Sequence, residues 1–131
     1  MNNFFLESDL NEIIYNLKDE IDLLSGKTIL LTGGRGFLGR YFTSFFDKVN
    51  REYLGNSLKV VILDNLITAG QEGKKIPNYN NIYFKNHNVI EPIEINHSID
   101  YIIHAAGIAS PHYYRAYPLE TLDVSIAGTK N

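Results

Sequence analysis

Apolar positions along this chain fall into two periods, and the switches between them lay out the elements. Leu10, Ile13, Ile14, Leu17, Ile21 and Leu24 recur at helical spacing. They predict a first helix, capped by Ser8 or by Asp9, with Glu12 three residues beyond Asp9 in capping-box position, and stopped at Gly26. The period then shortens. Ile29, Leu30 and Leu31 form an aliphatic run that breaks into glycines and resumes as an amphipathic stretch, so we expect a strand over 28–32, a tight turn and a helix over roughly 37–50. A second strand is expected over 59–63, ending at Asp64. Residues 65–81, rich in Gly, Asn and Lys with one Pro, read as a long loop. Third and fourth strands follow over 81–85 and 100–104, and a last helix over 118–131 has Pro118 near its first turn. Strands two and four are near-continuous apolar runs, the pattern of a parallel sheet covered on both faces.

Strands alternating with helices imply a doubly wound α/β sheet of the Rossmann type, with strand order 3-2-1-4 and a ligand crevice between strands one and four. A complete sheet of this kind has more strands, so the fold is expected to be incomplete. Residues 1–26 form a helical extension that covers a sheet edge or helix surface, and 27–131 are the N-terminal part of a nucleotide-binding domain.

Candidate chemistry concentrates in residues 28–39, Thr-Ile-Leu-Leu-Thr-Gly-Gly-Arg-Gly-Phe-Leu-Gly. Gly34 and Gly36 permit a sharp turn and a close ligand approach, and Gly39 lets the helix pack on its strand. First-turn N–H groups and the helix dipole favour an anion there, and a dinucleotide pyrophosphate is the usual occupant. Asp64, at the end of the second strand, stands where an acidic residue hydrogen-bonds an adenosine ribose. The competing interpretation makes Asp64 a capping or turn aspartate, with Asn65 extending the turn. Arg35, inside the glycine turn, could instead attract a 2′-phosphate. With Asp64 charged nearby, NAD is expected rather than NADP.

Bulk properties narrow the partners. The 131 residues carry a formal net charge of −3 and no cysteine. That suits one soluble domain, or part of one, able to bury roughly two-thirds of its unfolded surface. There is no basic stripe to suggest nucleic acid, and no apolar run approaches the roughly twenty residues of a membrane span. The N-terminus lacks the basic-then-apolar plan of a signal peptide, which fits a cytoplasmic location. Without cysteine, disulfide and thiol chemistry are out. His87, His97, His104 and His112 show no metal-ligand spacing, so no metal site is expected. His104, closing an apolar strand, reads as a hydrogen-bonded structural residue.

Three later segments sharpen the picture. Asp64-Asn65-Leu66 is followed by Thr68-Ala69-Gly70; His87 to Ile93 reads His-Asn-Val-Ile-Glu-Pro-Ile; and Ile99 to Pro111 reads Ile-Asp-Tyr-Ile-Ile-His-Ala-Ala-Gly-Ile-Ala-Ser-Pro, with Tyr113, Pro118, Thr121, Gly128, Thr129 and Asn131 beyond. Together with the glycine turn, these resemble the extended short-chain dehydrogenase/reductases, and more narrowly the NAD-dependent epimerase/dehydratase group acting on nucleotide sugars. The Ala-Ser-Pro with its following Tyr and Pro is most similar to UDP-glucuronate decarboxylases (UDP-xylose synthases). The resemblance runs from about Lys27 to Asn131.

It implies that Gly33 and Gly34 open the cofactor turn and that the backbone of Gly36, Phe37 and Leu38, with Gly39 behind it, holds the pyrophosphate. Asp64 and Asn65 would hold the adenosine ribose, and Asn88 and Val89 would flank the adenine. Ala105, Ala106 and Gly107 would line the nicotinamide-ribose side. Ser110, Pro111 and Tyr113 fall where a sugar-proximal loop begins, though an Ala-Ser-Pro turn also has an ordinary loop role. Asn88 replaces the usual Asp, and Ser125 replaces the Asn of the Thr-Asn-Val pattern.

In such enzymes a Tyr-x-x-x-Lys pair serves as acid/base on the sugar hydroxyl, the lysine lowering the tyrosine pKa. No Lys follows Tyr113, Tyr114 or Tyr117 at four residues, so no catalytic residue is assigned here and cofactor binding without turnover is expected. The implied activity is decarboxylation, epimerisation or dehydration of a nucleotide sugar through oxidation at C4, in an enzyme that is a homodimer when complete. The alternative is a free-standing NAD-binding module with a sensing or interaction role. Against that alternative, strand four would then be an exposed apolar edge, so the isolated 131-residue chain is expected to self-associate through residues 100–104.

Overall fold

The computed structural model describes residues 7–131. Four parallel strands, β1 (Thr28–Thr32), β2 (Lys59–Asp64), β3 (Ile82–Asn86) and β4 (Tyr101–His104), stand in the spatial order β3-β2-β1-β4. This is the expected Rossmann arrangement. Leu31 sits in register with Ile62 on one side and Ile103 on the other, so the three apolar runs meet at mid-sheet. α2 (Phe37–Glu52) crosses from β1 to β2 and presents Phe45, Phe46 and Val49 to the core, with Arg51 in its last turn complementing the helix dipole. Its exit loop is held by Asn50, whose fully buried side chain donates to Leu58 O at 3.0 Å and accepts from Leu58 N at 2.9 Å. Those two bonds satisfy a backbone amide that the core would otherwise strand. No helix among the described residues is long and apolar enough to cross a membrane.

The first helix differs from expectation at both ends. α1 (Glu7–Asn16) begins before Ser8 and Asp9, which therefore lie within its first turn instead of capping it. The Asp9 carboxylate accepts from the Tyr41 hydroxyl at 3.1 Å, and Glu7 pairs with Lys48. The helix also stops short of Gly26: turns at 17–20 lead into a 3₁₀ turn at Ile21–Leu24. Asp19, Glu20 and Asp22 account for the break, since carboxylates oppose the negative end of a continuing helix. Leu10, Ile14 and Ile21 are still buried, so the apolar spacing chose the right face although the helix is interrupted. α1 covers α2.

Two further elements fall where the pattern showed none. α3 (Gly70–Lys74) is a single turn inside the predicted 65–81 loop, and α4 (Pro111–Ala116) precedes α5 (Pro118–Lys130). Both are too short to show a period. At the base of the sheet, Asp100 joins β1 to β4. Its Oδ2 accepts from Thr28 N at 2.8 Å and its Oδ1 from Lys27 Nζ at 3.1 Å. The backbone bond first, and Lys27 second, hold this carboxyl below its usual range.

Candidate functional site

The carboxyl ends of β1, β2 and β4 open onto one cleft, where a doubly wound sheet binds its ligands. Gly33, Gly36, Asp64, Asn65, Asn88, Val89, Ala105, Ala106 and Gly107 all line it. Nine of the residues singled out above thus converge although they are spread over 75 positions of the chain. Gly33 has φ +68 and donates to Leu63 O at 2.8 Å; a Cβ there would lie 2.5 Å from Ala105 O, so β1 and β4 leave room only for glycine. Gly39 seats α2 on the turn: a Cβ would meet Gly33 O at 2.1 Å.

The remaining expected residues stand elsewhere. Gly34 faces the core, with Ile62 Cγ2 2.4 Å from where its Cβ would be. The side chains of Phe37 and Leu38 are exposed and line an apolar groove with Tyr41, Phe42 and Ile102 instead of the cleft. Ser110 is the N-cap position of α4 and Pro111 its first residue; neither they nor Tyr113 line the cleft. Ser125 is exposed, its hydroxyl donating to Thr121 O at 3.3 Å.

Asp64 plays the turn role in full. Its Oδ2 accepts from Arg35 N at 2.8 Å and its Oδ1 from Leu66 N at 2.7 Å, stabilising Leu66 at φ +62. Asn65 extends the turn by accepting from Ile67 N at 3.1 Å. An ionised carboxylate offers about four acceptor sites, so two remain for a ligand hydroxyl. Arg35 does not line the cleft. It is 4% exposed, and its guanidinium donates to Gly73 O at 2.9 Å and Lys75 O at 2.6 Å. Burial is the main cause lowering its pKa, followed by Arg40, with Asp64 and Tyr79 opposing.

On the other wall, Thr32 Oγ1 and His104 Nδ1 are 2.7 Å apart, and Ala106 N donates to Thr32 Oγ1 at 3.3 Å. His104 is thus hydrogen-bonded within the strand end, as read from its position. Ile67, Thr68, Glu120 and Val124 also line the cleft and were missed. Glu120 and Val124 share one face of α5 at i, i+4, a signal available once that helix is known. Gly128 lets the helix close on the site, since a Cβ would stand 2.9 Å from Val89 Cγ2. Asn131 fastens it by donating to Val89 O at 3.0 Å.

The residues present suit a dinucleotide. At Gly107 a Cβ would meet nothing within 4 Å, and at Gly36 only Gly33 O at 3.4 Å, so a ligand can approach bare backbone at both ends of the cleft. Gly36 is also the N-cap of α2 and supplies no side-chain acceptor to the first-turn N–H groups. A phosphate placed there gains donors and a favourable dipole.

Comparison with known proteins agrees. The chain is 35% identical over 106 residues to UDP-glucuronic acid decarboxylase 1 of Danio rerio, covering 80% of this chain and 23% of that protein. Among solved structures, an epimerase from Methanothermobacter thermautotrophicus superposes with a TM-score of 0.65 at 26% identity, over 88% of this chain and 33% of that one. The UDP-N-acetylglucosamine 4-epimerase from Methanobrevibacter ruminantium M1, solved in complex with UDP-N-acetylmuramic acid, gives 0.62 at 27% identity, over 81% and 32%. The chain therefore spans about a quarter of the curated relatives it matches and about a third of these structures. The model of the NAD dependent epimerase/dehydratase family matches residues 29–131, and with them all of the sheet but Thr28 and every residue lining the cleft. The chain belongs to the NAD dependent epimerase/dehydratase family.

Proposed function

We propose that residues 27–131 are the cofactor-binding part of a nucleotide-sugar-modifying enzyme that works through oxidation at the sugar C4. The observation that carries this is the cleft itself, with Gly36 at the N-cap of α2, the Asp64 and Asn65 end of β2 and the β4 end all facing one space. In this assignment the backbone at Gly36, Phe37 and Leu38 holds the pyrophosphate, Asp64 and Asn65 the adenosine ribose, and Asn88 and Val89 the adenine. Ala105 to Gly107 line the nicotinamide ribose. NAD, when bound, supplies the hydride acceptor for the C4 carbinol. The relatives' names favour decarboxylation among the three outcomes; in that reaction a C4 ketone, lying β to a C6 carboxylate, would take up the electron pair as an enolate when carbon dioxide leaves. The acid/base pair that removes the hydroxyl proton is not assigned to any residue of this chain, so the 131 residues alone should bind cofactor without turnover. The complete enzyme acts as a homodimer in the cytoplasm.

Titration calorimetry with NAD tests the assignment. The chain should bind NAD, and Asp64→Ala should weaken binding roughly ten- to a hundredfold, the effect of losing one hydrogen bond to a charged group. Asp64→Asn, which keeps one acceptor for the turn, should fall between. Unchanged affinity in both variants would overturn the ribose role.

A further inference from the structure

We propose that Arg35 is a positioning residue, an internal latch that fastens residues 66–75 onto the glycine turn and so shapes the adenosine end of the cleft for a ribose without a 2′-phosphate. The proposal rests on the cofactor assignment above and assigns a function to the one charged side chain of the turn. An arginine in that place invites the opposite interpretation, a hook for a 2′-phosphate. The geometry points elsewhere.

Both hydrogen bonds of the guanidinium go to carbonyls of a single segment, Gly73 O at 2.9 Å and Lys75 O at 2.6 Å, in a pocket also walled by Ile76, Pro77 and Tyr79. The same residue's backbone N–H holds Asp64 Oδ2 at 2.8 Å. Arg35 therefore ties three things together: the glycine turn, the ribose-side carboxylate and the 66–75 segment. The segment is seated closely, because a Cβ on Gly73 would lie 2.5 Å from Arg35 O and 2.6 Å from Ala69 Cβ. Its near end supplies Ile67 and Thr68 to the cleft wall beside Asp64.

Guanidinium–carbonyl bonds made inside the protein are charge-assisted and costly to abandon. With the guanidinium committed there, the turn offers a 2′-phosphate no partner from Arg35, while Asp64 offers it a like charge. A ribose diol meets no such penalty.

Four variants separate the latch from a phosphate hook. Arg35→Met removes the donors and keeps the bulk; Arg35→Lys keeps one donor. Gly73→Ala pushes the segment off the Arg35 carbonyl while leaving the arginine side chain itself unaltered. Lys75→Ala leaves the acceptor carbonyl in place. Amide hydrogen exchange over 66–79, measured without ligand, should accelerate at least about tenfold in Arg35→Met and Gly73→Ala, less in Arg35→Lys, and not in Lys75→Ala. Affinity for NAD and for AMP should fall together by roughly tenfold in the first two variants, and the preference for NAD over NADP should narrow. Selective loss of NADP binding in Arg35→Met would overturn the proposal in favour of the hook, and unchanged exchange would overturn the latch. Should the unaltered chain bind no NAD, the cofactor assignment fails, and the exchange experiment still decides the latch by itself.

Discussion

β1 has two neighbours of similar composition and opposite fate. On one flank β2 places Val60, Ile62 and Leu63 out of solvent, with Ile62 covered by Thr43 of α2 and by Ile76 and Pro77. On the other flank β4 leaves Tyr101 46% and Ile102 66% exposed, beside an apolar groove bounded by Leu17, Phe42 and Ile103. Both strands read alike in one dimension. An apolar run thus reports a strand's capacity to be covered on both faces, whereas coverage itself depends on what packs there. The cofactor cleft lies at the boundary, so one wall is backed by a complete core and the other by a strand with an open outer face.

The largest difference is expected when an isoleucine is truncated on each flank. Ile62→Ala should cost about 2–5 kcal/mol in urea unfolding, because it empties a packed site. Ile102→Ala should cost less than about 0.5 kcal/mol. Equal costs would mean that β4 is covered in solution. A second test uses the edge. Sedimentation velocity should show concentration-dependent self-association of the 131-residue chain through 100–104, and Ile102→Lys should shift it toward monomer, since a charge on an edge strand opposes pairing. A monomeric, cooperatively melting wild type would contradict it.

The smallest expected effect concerns the base of β4. Asp100 titrates lower in the folded chain than when unfolded, so its contribution is complete above the usual carboxylate range and is lost as pH falls through the lowered value. Thermal melts of wild type and Asp100→Asn should therefore converge on acidification below about pH 4 and stand apart at neutral pH. Parallel curves at every pH would remove Asp100 from the account of how β4 is held.

What could be read from the sequence divides along physical lines. Strand order, the glycine turn and the place of Asp64 were available, because they depend on local period and on residues whose backbone demands are specific. Residues such as Ile67, Thr68 and Glu120 were not, since their place in the cleft depends on a short turn and a helix docking from elsewhere. Arg35 shows the limit most clearly. Its position in the turn is written locally, but its direction is set by carbonyls 38 and 40 residues away, which no local pattern reports. The break in α1 belongs to an intermediate class: the acidic run that causes it is visible, yet the apolar spacing continues straight through it.

A two-dimensional amide NMR titration with NAD decides whether this cleft takes a dinucleotide. The expected shifts are confined to 33–39, Asp64, Asn65, Asn88, Val89 and 105–107. Shifts concentrated at Leu17, Phe42, Tyr101 and Ile102, or none at saturating NAD, would contradict that assignment.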